Sequence, residues 1–143
     1  MGSITSGGFP WFREALRDWA ATSPLVSGLL VVGSYGRGQP RNDSGIDIMI
    51  LSPQPRALLD RHDWLHVFGD PRTVKRETWG IVESLRVEYR GGVEVEFTVG
   101  AEDWASLPLD RGTLDVLKDG ALVLYDARED VLAKAIEASR TSS

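Results

Sequence analysis

The sequence predicts a single α/β domain. Three observations point there. Apolar runs bounded by turn residues recur as short buried strands at 27–33, 45–51 and 121–125. Apolar residues at helical spacing, beginning with Phe12, Leu16, Trp19 and Ala20, accompany them. Gly91-Gly92 joins two alternating segments as a hairpin turn would. A chain of 143 residues fits one domain and buries roughly 70% of its unfolded surface.

Taken in order, residues 1–8 are short, small and polar and read as a loose terminus. Helix 9–22 follows, with Pro10 in its first turn, and Ser23-Pro24 stops it. Strand 27–33 is apolar throughout, hence central. Residues 34–37 open a short helix, 38–44 form a loop, and strand 45–51 begins at Gly45. After the turn at Ser52-Pro53-Gln54-Pro55, a short helix spans 56–61. Residues 62–67 are ambiguous between helix and strand, and 73–82 have no clear period. Strand 84–89 carries Leu85, Val87 and Tyr89 on one face. Strand 93–99 carries Val93, Val95, Phe97 and Val99 on one face and Glu94, Glu96 and Thr98 on the other. A helical turn at 101–106, an interruption at Leu107-Pro108, helix 111–117 and a turn at Asp119-Gly120 lead to strand 121–125. Asp126 caps a last helix through 138, and 140–143 fray. The domain proper is therefore 9–139.

Bulk properties narrow the function. Net charge is −5, against a protein that binds nucleic acid by neutralising phosphates. There is no cysteine, which excludes a disulfide framework and thiolate metal sites. No apolar run reaches the length of a membrane span, and no secretory signal is present, so the expected location is cytoplasmic.

The chemistry concentrates in Gly33-Ser34-Tyr35-Gly36-Arg37-Gly38 and Asp43-Ser44-Gly45-Ile46-Asp47-Ile48. A loop of small residues lets backbone N–H groups approach a phosphate, and Arg37 adds charge to the same group. Asp47 lies between two isoleucines, where a carboxylate is costly unless paired or on a metal. Glu96 is a second such acid. Its bland alternative is a solvated position beside Glu94 on the wet face of a hairpin. Magnesium uses carboxylates together with substrate phosphates, so these residues suit phosphoryl chemistry. His62 and His66 stand four apart but lack a third ligand. The five tryptophans are scattered and read as core anchors rather than base-stacking platforms.

These motifs resemble the signature of the DNA polymerase β-like nucleotidyltransferase superfamily, closest in flavour to its minimal and aminoglycoside-adenylyltransferase-like members. That pattern is Gly-Ser, a short Arg-Gly loop, two spaced acids opening the second strand, and a third acid on a later strand, which Val95-Glu96-Phe97 matches. The resemblance implies a mixed sheet flanked by helices. It implies transfer of a nucleoside monophosphate from an NTP to a hydroxyl acceptor, on a small molecule or a protein, with Mg²⁺ or Mn²⁺. Gly33 and Ser34 would hold the triphosphate, Asp47 would ligate both metals, and Glu96 would ligate the catalytic metal and serve as base. The chain departs at Gly45, where the family has its first Asp. Asp43 is a further candidate ligand, but an extended strand puts it roughly 13 Å from Asp47. Glu94, on the face of Glu96, sits about 7 Å along the strand. The alternative is a catalytically inactive relative that binds a nucleotide or a protein. Members of the superfamily often take their acceptor on a second helical domain, so the resemblance leaves three alternatives: a homodimer or a partner protein completes the site, or the acceptor site is absent.

Overall fold

The computed structural model describes residues 3–38, 45–107, 109–128 and 131–141. Asp43 and Pro108 lie outside the described residues, as do Met1, Gly2 and the last two serines.

Helix α1 spans Ile4–Thr22 and is broken at Gly8, whose φ of +68° no helical residue adopts. The limb after the break is the helix expected at 9–22, and Pro10 falls in its first turn. The limb before it replaces the expected loose terminus. Ser3 accepts from the Ser6 N–H, and the Ser6 hydroxyl answers the Ser3 N–H. This reciprocal cap nucleates a turn that buries Ile4, whose N–H donates to the Phe68 carbonyl at 2.9 Å.

Six strands follow: β1 (Gly28–Val32), β2 (Ile46–Ser52), β3 (Pro71–Trp79), β4 (Val82–Tyr89), β5 (Glu94–Ala101) and β6 (Ala121–Asp126). They form one sheet in the order β3-β4-β5-β2-β1-β6. Among the described residues only β2 and β5 pair in parallel, so the sheet is mixed. The Gly91-Gly92 hairpin between β4 and β5 is present, with both glycines at positive φ. The stretch without a clear period is largely β3, a sheet edge none of whose residues is buried. With no buried face it shows no alternation of hydrophobicity.

The sheet has two differently covered faces. On the first, Leu29, Val31, Ile46, Ile48, Ile50, Leu85, Val87, Val95, Phe97 and Val99 meet α1, the short helix α3 (Pro55–Asp60) and the 3₁₀ turn Asp63–Val67. Trp19 stacks on Trp64 with ring centroids 4.9 Å apart, and Trp64 meets Phe97 edge-on at 5.0 Å. These two tryptophans are core anchors. On the second face, Leu30, Met49 and Leu51 pack against Trp104, Leu117, Leu132 and Ala135. The last three come from α4 (Arg111–Asp119) and α5 (Val131–Thr141). Asp126 holds the entry to α5, its carboxylate accepting from the Leu132 N–H at 2.8 Å.

That second cover lies over β1, β2 and β6. Beyond it, β3, β4 and β5 present a polar surface of Glu77, Trp79, Ser84, Arg86, Glu94 and Glu96. No helix among the described residues is long and apolar enough to cross a membrane.

Candidate active site

The site forms where the apolar cover on the second face ends. Strand β1 finishes at Val32, and Gly33 turns the chain into the four-residue helix α2 (Gly33–Gly36). Two constraints demand glycine at 33. Its φ is +68°, and a Cβ there would lie 2.5 Å from the Asp47 Oδ2. The Asp47 carboxylate therefore rests directly against the backbone of the Gly33 turn. Gly36 is equally confined, since a Cβ would meet the Val31 and Gly120 carbonyl oxygens at 2.6 and 2.8 Å.

Sheet register sets the rest. Val32 pairs with Asp47, Asp47 with Glu96, Glu96 with Arg86, and Arg86 with Lys75. Paired residues on neighbouring strands share a face, so these five make one row across the sheet, each about 4.8 Å from the next. Along that row the chemistry runs from apolar to acidic to basic. Both expected carboxylates are half-buried and adjacent. The solvated alternative for the hairpin acids describes Glu94, which is exposed, better than Glu96.

Glu96 is held from the β4 side. The Arg86 Nη2 donates to its Oε2 at 3.1 Å, and the Ser84 hydroxyl donates to the same oxygen at 3.3 Å. The indole N–H of Trp79 donates to the Ser84 hydroxyl at 2.9 Å, giving a relay from Trp79 through Ser84 to Glu96. Arg86 also lies 3.0 Å from Glu77 and 3.8 Å from Glu94. The Glu77 contact is one of charge rather than a hydrogen bond, because the Nε–H does not point along it. Burial pushes the Asp47 carboxyl above the usual range; the charges of Glu96 and, less strongly, Glu94 add to this, and Arg86 opposes it. The hydrogen bond to Glu96, reinforced by its charge, pushes the Arg86 guanidinium higher still.

The structure thus brings together Gly33, Asp47 and Glu96, with Ser34 following in the same turn. Arg37 is turned elsewhere. It lies over Gly120, and its Nη1 meets the Asp119 Oδ2 at 2.6 Å. Gly45, two residues before Asp47 and just ahead of β2, has no carboxylate to offer. Among the described residues no group of three His, Cys, Asp or Glu side chains is placed to hold a metal. Two carboxylates still suit one ion, because Mg²⁺ is commonly held by one or two carboxylates plus phosphates. The Gly33 turn brings backbone rather than a side chain against the Asp47 carboxylate.

Sequence reasoning overlooked Arg86 and Ser84, and it read Trp79 as a core anchor, whereas Trp79 is 51% exposed. The signal for the first two is the alternation of strand 84–89. Its apolar face was read, but Ser84 and Arg86 on the other face point where Glu96 points.

Comparison with known proteins settles the family. The model of the nucleotidyltransferase domain family matches residues 11–100, well over half of the chain. The chain belongs to the nucleotidyltransferase domain family. The matched span contains Gly33, Ser34, Asp47, Arg86 and Glu96.

A bifunctional uridylyltransferase/uridylyl-removing enzyme of Bordetella pertussis is 45% identical over 49 residues, 33% of this chain and 6% of that protein. Its counterpart in Bordetella bronchiseptica is 43% identical over the same length. The match thus spans only a small part of these relatives' length. Among solved structures, an aminoglycoside 6-adenyltransferase from Bacillus subtilis superposes with a TM-score of 0.57 at 12% identity. That likeness covers 85% of this chain and 41% of the other, and it is a likeness of fold.

Proposed function

We propose that this nucleotidyltransferase domain binds an NTP with a divalent ion, Mg²⁺ or Mn²⁺, and transfers its nucleoside monophosphate to a hydroxyl acceptor. The observation that carries this reading is the in-register pair Asp47–Glu96 on the parallel strands β2 and β5, with Asp47 against the Gly33 turn. Gly33 and Ser34 hold the outer phosphates through backbone N–H groups and the Ser34 hydroxyl. Asp47 and Glu96 hold the ion, which supplies charge neutralisation at the reacting phosphate. The acceptor oxygen attacks the α-phosphorus, the bond to the β-phosphate oxygen breaks, and pyrophosphate leaves with the electron pair. Glu96 takes the acceptor proton, so the acceptor approaches from the β4 side, where Trp79 and Arg86 lie.

A second reading is favoured by Gly45: a domain that binds nucleotide, or a protein partner, without turnover. Isothermal titration with ATP and UTP, each with MgCl₂ and with EDTA, tests the binding that both nucleotide readings share. Pyrophosphate release then separates them. Metal-dependent binding with release that Asp47→Asn abolishes supports transfer. Binding with no release under any acceptor supplied supports the second reading. No nucleotide binding leaves the protein-binding form of it.

A further inference from the structure

Glu96 is the one member of the carboxylate pair that already has a cation. Arg86 reaches it across a single strand spacing and is itself ringed by Glu77, Glu94 and Glu96. Where the family pattern has three acids, this chain has two and a guanidinium beside them. A divalent ion on Asp47 and Glu96 must therefore compete with Arg86 for Glu96, and with less carboxylate charge to help it. Displacing Arg86 does not strand it. Glu77 and Glu94 remain within 3.8 Å, and the side chain is 41% exposed and free to shift toward them. Ser84 meanwhile keeps its hydrogen bond to Glu96 and preserves the carboxylate's direction.

We propose that Arg86 is a built-in counter-cation that holds Glu96 until a divalent ion arrives with nucleotide, and so keeps the site's affinity for free divalent ions low. The proposal rests on Asp47 and Glu96 being the metal ligands. Arg86 acts through Glu96 and is a positioning residue. Phosphate oxygens supply the ligands that the protein lacks, so ion and nucleotide bind together rather than in sequence. The domain then carries little divalent ion between turnovers.

The test is a Mn²⁺ titration of the full chain without nucleotide, following free Mn²⁺ by electron paramagnetic resonance. Arg86→Gln tightens Mn²⁺ binding roughly tenfold. Lys75→Gln removes an equal charge from the same row, one strand further out, and changes affinity less than about twofold. Arg86→Lys keeps the charge but cannot reach Glu77, Glu94 and Glu96 at once, so affinity rises about threefold. This variant carries the test if Arg86→Gln does not fold. Merely structural damage at position 86 lowers affinity instead of raising it. Unchanged or weaker binding in both Arg86 variants overturns the proposal. Adding Asp47→Asn to Arg86→Gln (or to Arg86→Lys) abolishes the gain. A gain that survives Asp47→Asn places the ion elsewhere, and then the metal-ligand reading itself fails.

Discussion

Asp47 and Glu96 are direct cross-strand partners on the two parallel strands at the middle of the sheet, and the Asp47 carboxylate touches the backbone of Gly33. Two like charges are therefore held about one strand spacing apart, ~4.8 Å, beside a turn that only glycine can make. Folding alone does not favour that arrangement. Several consequences of it are measurable.

Asp47 should weaken the fold at neutral pH. Burial, and then Glu96, raise its carboxyl above the ordinary value, so the folded protein holds this proton more tightly than the unfolded chain does. Stability accordingly falls as pH rises from the ordinary carboxylate range through the raised value, and stays lower above it. Asp47→Asn removes that slope. It stabilises the domain at neutral pH and raises Tm there, while leaving stability in acid unchanged. Calorimetry of both proteins from acid to neutral pH reads this. A variant less stable than wild type at neutral pH is the contrary result.

Gly45→Asp should be accommodated. Among the described residues a Cβ there meets the Glu94 carbonyl oxygen, at an ordinary 3.4 Å. The new carboxylate lies two residues before Asp47, where the family pattern has its first acid. Mn²⁺ affinity rises at least tenfold, while the ion-free domain loses stability through added repulsion. Affinity equal to wild type in a folded variant would mean that position 45 does not face the ion.

Gly33→Ala places a methyl group against the Asp47 carboxylate and forces a side chain into left-handed backbone. The cost is about 1–3 kcal/mol in urea unfolding, together with loss of nucleotide binding. Nucleotide affinity within twofold of wild type would remove the Gly33 turn from the phosphate site.

Arg37 has two claims on it. Asp119 holds it at 2.6 Å in an exposed pair, and the phosphate role proposed for it requires release. Asp119→Asn changes stability by less than about 1 kcal/mol, as exposed pairs do. Released from that contact, Arg37 raises affinity for a fluorescent ATP analogue a few-fold, and Arg37→Ala lowers it about tenfold. Should both variants bind like wild type, Arg37 serves only to pin α2 to the Asp119-Gly120 turn.

Much of this architecture was legible in the residues. The central strands are apolar at nearly every position because both faces are covered, and the Gly91-Gly92 hairpin announces itself by strict alternation on one side. Strand β3 was not legible, because an exposed edge needs no hydrophobic pattern. The first limb of α1 was missed because its signal is a pair of serines three apart and one buried isoleucine among small residues. Within the site, Gly33, Asp47 and Glu96 could be found because their types are unusual in their settings. Arg86 could not. An arginine on the polar side of a strand is ordinary until register sets it beside Glu96.

The parallel pairing of β2 with β5 also governs when the site can exist. Between the two carboxylates the chain must build α3, the turn at Asp63–Val67 and the whole β3–β4 hairpin. Non-local pairings of this kind form late, after loop-closure entropy has been overcome. A ribosome-bound chain displays Asp47 long before Glu96 has been synthesised. The acidic pair is thus a product of completed folding, and a half-made domain offers divalent ions no competing trap.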